Sequence, residues 1–245
     1  MRSLIVVALL AAGTGWSLPI GTLDIIGLGN ARISATEIDF GPFGGGTGDI
    51  LVTNGTGSYA SLTPGVTEGE ITDLNIATAP PGPPLVSPIV PFIVLPGFTF
   101  DLRQIRLGDG PSCAVAPAVG QSCSPTEIVA NTPFVLTQTN TGVSVSLSLV
   151  GIVVDATGVA NYEGLFTLNF TQTTADTVPE LLSAFGPGGP GFVDSSWSAQ
   201  ITSASVIAPP PPPVIPEPAT WFTMVSGLAL LCGGVMARRK EVRKA

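Results

Sequence analysis

The feature that most constrains this chain is a two-residue hydrophobic beat. Val143, Val145, Leu147 and Leu149 alternate with Ser144, Ser146 and Ser148. In an extended chain, successive side chains point to opposite faces, so this run has one apolar face and one hydroxyl face. A helix would scatter the same residues around its circumference. Residues 164–171 repeat the beat, and residues 134–139 lead into it through the turn Asn140-Thr141-Gly142. Such segments are half-buried antiparallel strands, and the fold must bury their apolar faces together.

Other segments carry the pattern less cleanly. Residues 32–40 partly alternate and stop at Gly41-Pro42, and a strand over 49–53 follows the glycine run 44–46. Asn54-Gly55 reads as a tight hairpin turn into a weak strand over 56–60. Further strands are expected over 70–76, 98–107 and 197–202. Residues 79–91 hold too many prolines for a central strand and read as loop or edge. Residues 179–185 read as a short helix. Many short strands with glycine-rich turns predict a mainly β fold, an antiparallel β-sandwich or jelly-roll-like domain over 18–207. No fixed-period repeat marks a solenoid.

The two ends have their own character. Arg2 precedes a short apolar run and then Gly13, Thr14, Gly15 and Ser17. That is the layout of a secretory signal peptide over 1–17, with cleavage expected between Gly15 and Ser17. It is too short for a comfortable membrane span. Near the other end, five consecutive prolines at 209–213 make a semi-rigid spacer within a linker over 208–215. Residues 219–237 carry no charge. As a helix they would be roughly 28 Å long, close to the hydrocarbon thickness of a bilayer. Pro218 suits the first helical turn, Trp221 suits an interface, and Cys232 reads as an ordinary helix residue. Arg238, Arg239 and Lys240 follow directly and act as a stop-transfer cluster, holding the tail 241–245 in the cytoplasm. A single C-terminal transmembrane helix is therefore expected, with the β-domain outside.

The order of Pro216-Glu217-Pro218-Ala219-Thr220, apolar helix and Arg238-Arg239-Lys240 resembles the PEP-CTERM sorting signal, here over 216–240. A tail of this kind is also named after ice-binding proteins. The resemblance implies a bacterial exporter of Gram-negative type and recognition of Pro216, Glu217 and Pro218 by a membrane exosortase. It further implies an inner-membrane precursor that passes to the cell surface or extracellular matrix, often alongside exopolysaccharide. Trp221-Phe222-Thr223 is bulkier and more polar than the leucine-rich start usual in the family. Residues 57–60, 69–74 and 98–100 are similar to an outer-domain pattern among such proteins, one that carries no activity with it.

Charge and composition exclude much chemistry. Residues 18–215 hold three arginines (Arg32, Arg103 and Arg106), no lysine and fifteen acids, a formal charge of −12 against −8 for the whole chain. That balance repels nucleic acid, so none is expected as a partner. The chain has no histidine, which removes Ser–His–Asp and Cys–His machinery. A lysine-free outer segment also removes Ser–Lys and Schiff-base chemistry. No phosphate-cradling or calcium loop is present, and no catalytic residue, metal or cofactor is expected. Cys113 and Cys123, ten residues apart, are expected to form a disulfide in an exported chain. Free thiols are the alternative, and a metal site would need more ligands.

The expected function is that of a non-enzymatic exported cell-envelope or extracellular-matrix protein. An alternative is a surface module binding extracellular polysaccharide or ice. Thr137/Thr139, Thr171/Thr173 and the serines at 144, 146 and 148 make polar stripes, but a flat ice-binding face needs many such units. Tyr59, Tyr162 and Trp197 are scattered and read as core rather than as a sugar platform. A carboxylate-dependent glycosidase ranks last. Glu37/Asp39 and Glu68/Glu70 would each share a strand face, and glycoside hydrolysis needs two carboxylates across a shaped cleft.

Overall fold

The computed structural model describes residues 18–42, 46–171, 176–186 and 188–204. The signal segment 1–17, the linker 208–215, Pro216, Glu217, Pro218, the apolar stretch 219–237 and Arg238, Arg239 and Lys240 lie outside the described residues. Among the described residues, no helix is long and apolar enough to cross a membrane.

The hydrophobic beat forms the longest strands. β11 (Gly142–Val154) and β12 (Val159–Thr171) pair antiparallel along their whole length, from Gly142 opposite Thr171 to Val154 opposite Val159. β12 then pairs with β13 (Phe192–Ala204), and β13 with β1 (Gly21–Gly27). From β1 the sheet continues through β4 (Thr47–Gly55), β5 (Glu68–Thr72), β7 (Ile89–Leu95) and β8 (Phe98–Ile105). β8 pairs back onto β11, which closes a ring of eight strands, each antiparallel to its neighbours.

The mainly β, antiparallel expectation is met, but the sandwich or jelly roll is replaced by a barrel. Closure depends on bending, and three register shifts supply it. They lie between Asp24 and Ile25 where β1 meets β4, between Val150 and Gly151 where β11 meets β8, and between Ile89 and Ile93 where β7 meets β8. Irregularities of this kind increase local twist and curl a sheet, and closure removes exposed edges.

Two short extensions hang from the long strands. β2 (Ala31–Ser34) pairs with the start of β13, β3 (Glu37–Asp39) with β2, and β6 (Leu74–Asn75) with β3. The strand expected over 32–40 is thus split into two arms. On the other side, β10 (Val135–Thr139) pairs with the start of β11, and β9 (Ser122–Cys123) with β10. Both extensions sit at the far end of the barrel, away from the end where Gly21 faces Ser203.

An eight-stranded barrel is just wide enough for side chains to fill its interior. Toward the Gly21–Ser203 end, Tyr59 packs on Phe98 at 4.9 Å and on Phe100 at 6.0 Å, and Phe100 meets Tyr162 edge-on at 5.4 Å. Toward the far end, Trp197 packs on Phe40 at 4.8 Å and stacks on Phe166 at 6.0 Å, with Phe92 6.0 Å from Phe166. Gly27 is required here: a Cβ on it would fall 2.1 Å from Trp197 Nε1.

Three local readings differ from the structure for tertiary reasons. β1 carries no clean alternation in sequence, yet it is a wall strand between β13 and β4. Asn54-Gly55 does not turn a hairpin. Gly55 ends β4, and a 3-10 helix, Gly57–Ser61, replaces the expected strand. The turn lets Tyr59 enter the barrel, where it is fully buried and its hydroxyl donates to Ser203 Oγ at 2.9 Å. Gly57, at φ +60°, makes that entry, and a Cβ on it would strike the Ile20 carbonyl. Finally, proline-rich residues 79–88 are loop, but β7 is a wall strand. It absorbs Pro91 in an irregular step between Ile89 and Ile93.

The expected helix is present as α1 (Val178–Phe185). Thr177 Oγ1 accepts from the Glu180 amide and Glu180 Oε2 accepts from the Thr177 amide, a capping box with Pro179 in the first turn. Val178 and Leu181 are its buried anchors. Gln138 ties it down: its Oε1 accepts from the Val178 amide at 3.0 Å, while its Nε2 donates to the Gly142 and Asp176 carbonyls at 3.2 and 2.8 Å.

Candidate functional site

Cys113 and Cys123 are bonded as expected, with their Cα atoms 5.0 Å apart. Both are buried, and the bond fastens the preceding loop to β9, the outermost strand of its extension. Closing so short a loop stabilises by about 2–3 kcal/mol in the chain-entropy view.

The carboxylate pairs are not brought into one cleft. Glu37 and Asp39 lie on β3 in an extension, Glu68 and Glu70 on β5 in the barrel wall. Asp39 stands opposite Arg32 and accepts from the Gly41 amide at 3.1 Å. Glu70 stands opposite Asp49, on the exposed surface. Asp73 is the acid most affected by its surroundings: burial lifts its carboxyl above the usual range, and nearby Asp39 adds to the rise. The Phe40 amide, donating at 2.8 Å, works against that lift. This acid pins β3 to the barrel wall and faces no cleft shared with Glu68 or Glu70.

Two buried phenols are likewise structural. Burial pushes Tyr59 up to about 12, partly offset by its hydrogen bond to Ser203. Burial also raises Tyr162, whose hydroxyl has no partner among the described residues. Neither ionises in the neutral range, so neither serves as an acid or base there.

One concavity that gathers several polar groups lies on the outside of the barrel. A groove of about 310 Å³ is walled by Arg106, Ser148, Glu163, Leu165, Gln200 and Thr202. The registers explain its position. Ser148 pairs with Leu165 and Leu165 with Gln200, while Glu163 pairs with Thr202. Alternation sends all of these outward. Between them the floor is the pair Leu149 and Gly164. Leu149 points inward, and a Cβ on Gly164 would face Phe166 and Ile201 in the core, so neither position places a side chain in the groove. β11 also changes neighbour here, from β10 up to Ser146 to β8 from Leu149.

Arg106 follows β8 and its amide donates to the Ser148 carbonyl at 2.9 Å. Its guanidinium reaches over β11 to the Glu163 carboxylate on β12, leaving both side chains more than half exposed at the rim. Gln200 is steadied by Asp24, to whose Oδ1 its Nε2 donates at 3.0 Å, and Asn54 donates to the other oxygen at 3.1 Å. The other arginines among the described residues are also paired, Arg32 with Asp194 at 2.8 Å and Arg103 with Asp101 at 3.4 Å.

Of these wall residues, Ser148 and Leu165 lie in alternating runs visible in the sequence, and neither run marks a site. The rest span positions 106 to 202 and meet only through the barrel register. The site offers hydroxyl, amide, guanidinium and carboxylate groups around one half-exposed leucine, which suits reversible binding. Among the described residues no three His, Cys, Asp or Glu side chains gather as a metal site. No family model, curated protein or solved structure matches the chain.

Proposed function

We propose that this chain is a non-enzymatic protein of the bacterial cell envelope or extracellular matrix, exported through residues 1–17 and sorted through its PEP-type tail. The observation that carries this furthest is the Cys113–Cys123 disulfide, because such bonds persist in oxidising compartments outside the cytosol. A barrel filled with side chains also suits a robust surface scaffold whose contacts are made on its outer wall. Pro216, Glu217 and Pro218 are the processing element, recognised by an exosortase-type enzyme, and Arg238, Arg239 and Lys240 are the stop-transfer cluster.

The test is to fractionate the native host cells and measure the intact mass of the protein in each fraction. Loss of residues up to about Ser17, with cleavage near Pro216-Glu217-Pro218, is the expected result. A full-length chain in the cytosolic fraction would overturn the proposal. An uncut C-terminus in the inner membrane would remove the sorting step and leave a single-span membrane protein. A second possibility, a polysaccharide-binding surface module, is favoured by the outer groove.

A further inference from the structure

We infer that the outer groove is a binding site for a neutral polysaccharide, which deepens the extracellular, non-enzymatic function proposed above. Sugar rings present apolar C–H faces and a rim of hydroxyls that both donate and accept. Leu165, half exposed at the groove centre, supplies a matching apolar seat. Around it, Arg106 donates, Glu163 accepts, and Gln200, Thr202 and Ser148 do both. Leu165 is aliphatic, so the polar rim must supply much of the specificity.

Charge selects against acidic polymers. The outer segment is strongly acidic overall, which disfavours approach by a polyanion. Each acid at the groove is already engaged: Glu163 by Arg106, and Asp24 by the amides of Gln200 and Asn54. No arginine in the described domain lacks a carboxylate partner that would have to be displaced by an anionic ligand. What remains at the groove is a hydrogen-bonding surface with one net negative charge, on Asp24, which further disfavours an anionic ligand.

The shape favours a chain over a single sugar. Along the strands the groove runs onto further outward rows, Ser146–Thr167–Ser198 and then Ser144–Asn169–Ser196. From Thr202 to Ser196 this lane is ~20 Å long at the usual strand rise. It is lined by short side chains that lose little freedom on binding. A row of this length offers contacts to several consecutive sugar units.

The experiment is native affinity electrophoresis of the full chain in detergent, in gels containing a neutral glucan, mannan or galactan, with alginate as the acidic comparison. At least one neutral polymer should retard the protein, and alginate should not. Gln200→Ala and Thr202→Ala should each weaken retardation about five-fold, as loss of one hydrogen bond does. Leu165→Asp should abolish it, and Glu70→Gln on β5 should leave it unchanged. All four positions are exposed, and a thermal melt of each variant checks folding. No retardation by any neutral polymer, or equal retardation of the groove variants, would overturn the assignment. Binding without export would remove the proposed function and keep the site, whereas export without binding would do the reverse.

Discussion

At the end where Gly21 faces Ser203, the barrel is filled by an inserted tyrosine, whereas the far end is filled by rings from several strands and covered by added pieces. Tyr59 arrives on a 3-10 turn, packs on Phe98 and Phe100, and anchors its hydroxyl on Ser203. Trp197, by contrast, is held by shape, between Phe40 and Phe166 and over Gly27, with its indole N–H unpartnered among the described residues. Nearby, α1 is fastened through one buried glutamine. One end thus combines packing with a directional bond. The other separates them, keeping ring packing inside and hydrogen bonds for the attached helix.

That contrast breaks most visibly at Trp197. Trp197→Ala empties the centre of the far cluster and should cost about 3–5 kcal/mol in urea unfolding. A loss under about 1 kcal/mol would mean that the far end does not depend on the ring. Gln138→Ala comes next. It leaves the Val178 amide and the Asp176 carbonyl without that side-chain partner, while the Gly142 carbonyl keeps Thr139 Oγ1, and should cost about 1–3 kcal/mol. Hydrogen exchange should then rise in α1 while β11 and β12 keep their protection. Uniform exchange across the barrel would show that Gln138 supports the wall itself.

The smallest effect separates two phenols in one cluster. Tyr59→Phe gives up the bond to Ser203 and should lose about 1 kcal/mol. Tyr162→Phe gives up no bond within the described residues and should lose less. Equal losses in thermal or urea melts would erase the distinction between the hydrogen-bonded phenol and the one held by packing alone.

Much of the strand content was legible because alternation is local. Val143 to Leu149 needs no distant partner to prefer an apolar and a hydroxyl face, and β11 follows that pattern. The same holds for the helix, where Thr177, Pro179 and Glu180 supply a start signal within a few residues. β1 was not legible: its sequence alternates poorly, and it is a strand because β13 and β4 pair with it on either side. Asn54-Gly55 misled for a similar reason, since burying Tyr59 outweighs the local turn preference. At the groove, Ser148 and Leu165 lay in alternating runs, but neither run marked a site. Arg106, Glu163, Leu165, Gln200 and Thr202 are unremarkable strand or loop positions until register aligns them.

By itself, then, the sequence determined the β character, the short helix, the absence of histidine chemistry and the cysteine spacing that permits a short disulfide. These follow from composition and from neighbours a few residues apart. Closure into a barrel, the filling of its two ends and the outer groove were decided only by tertiary structure. They depend on partners as distant as Tyr59 and Ser203 or Arg106 and Glu163. The physical reason is that alternation specifies which face of a strand is apolar, while strand order and register specify which faces meet.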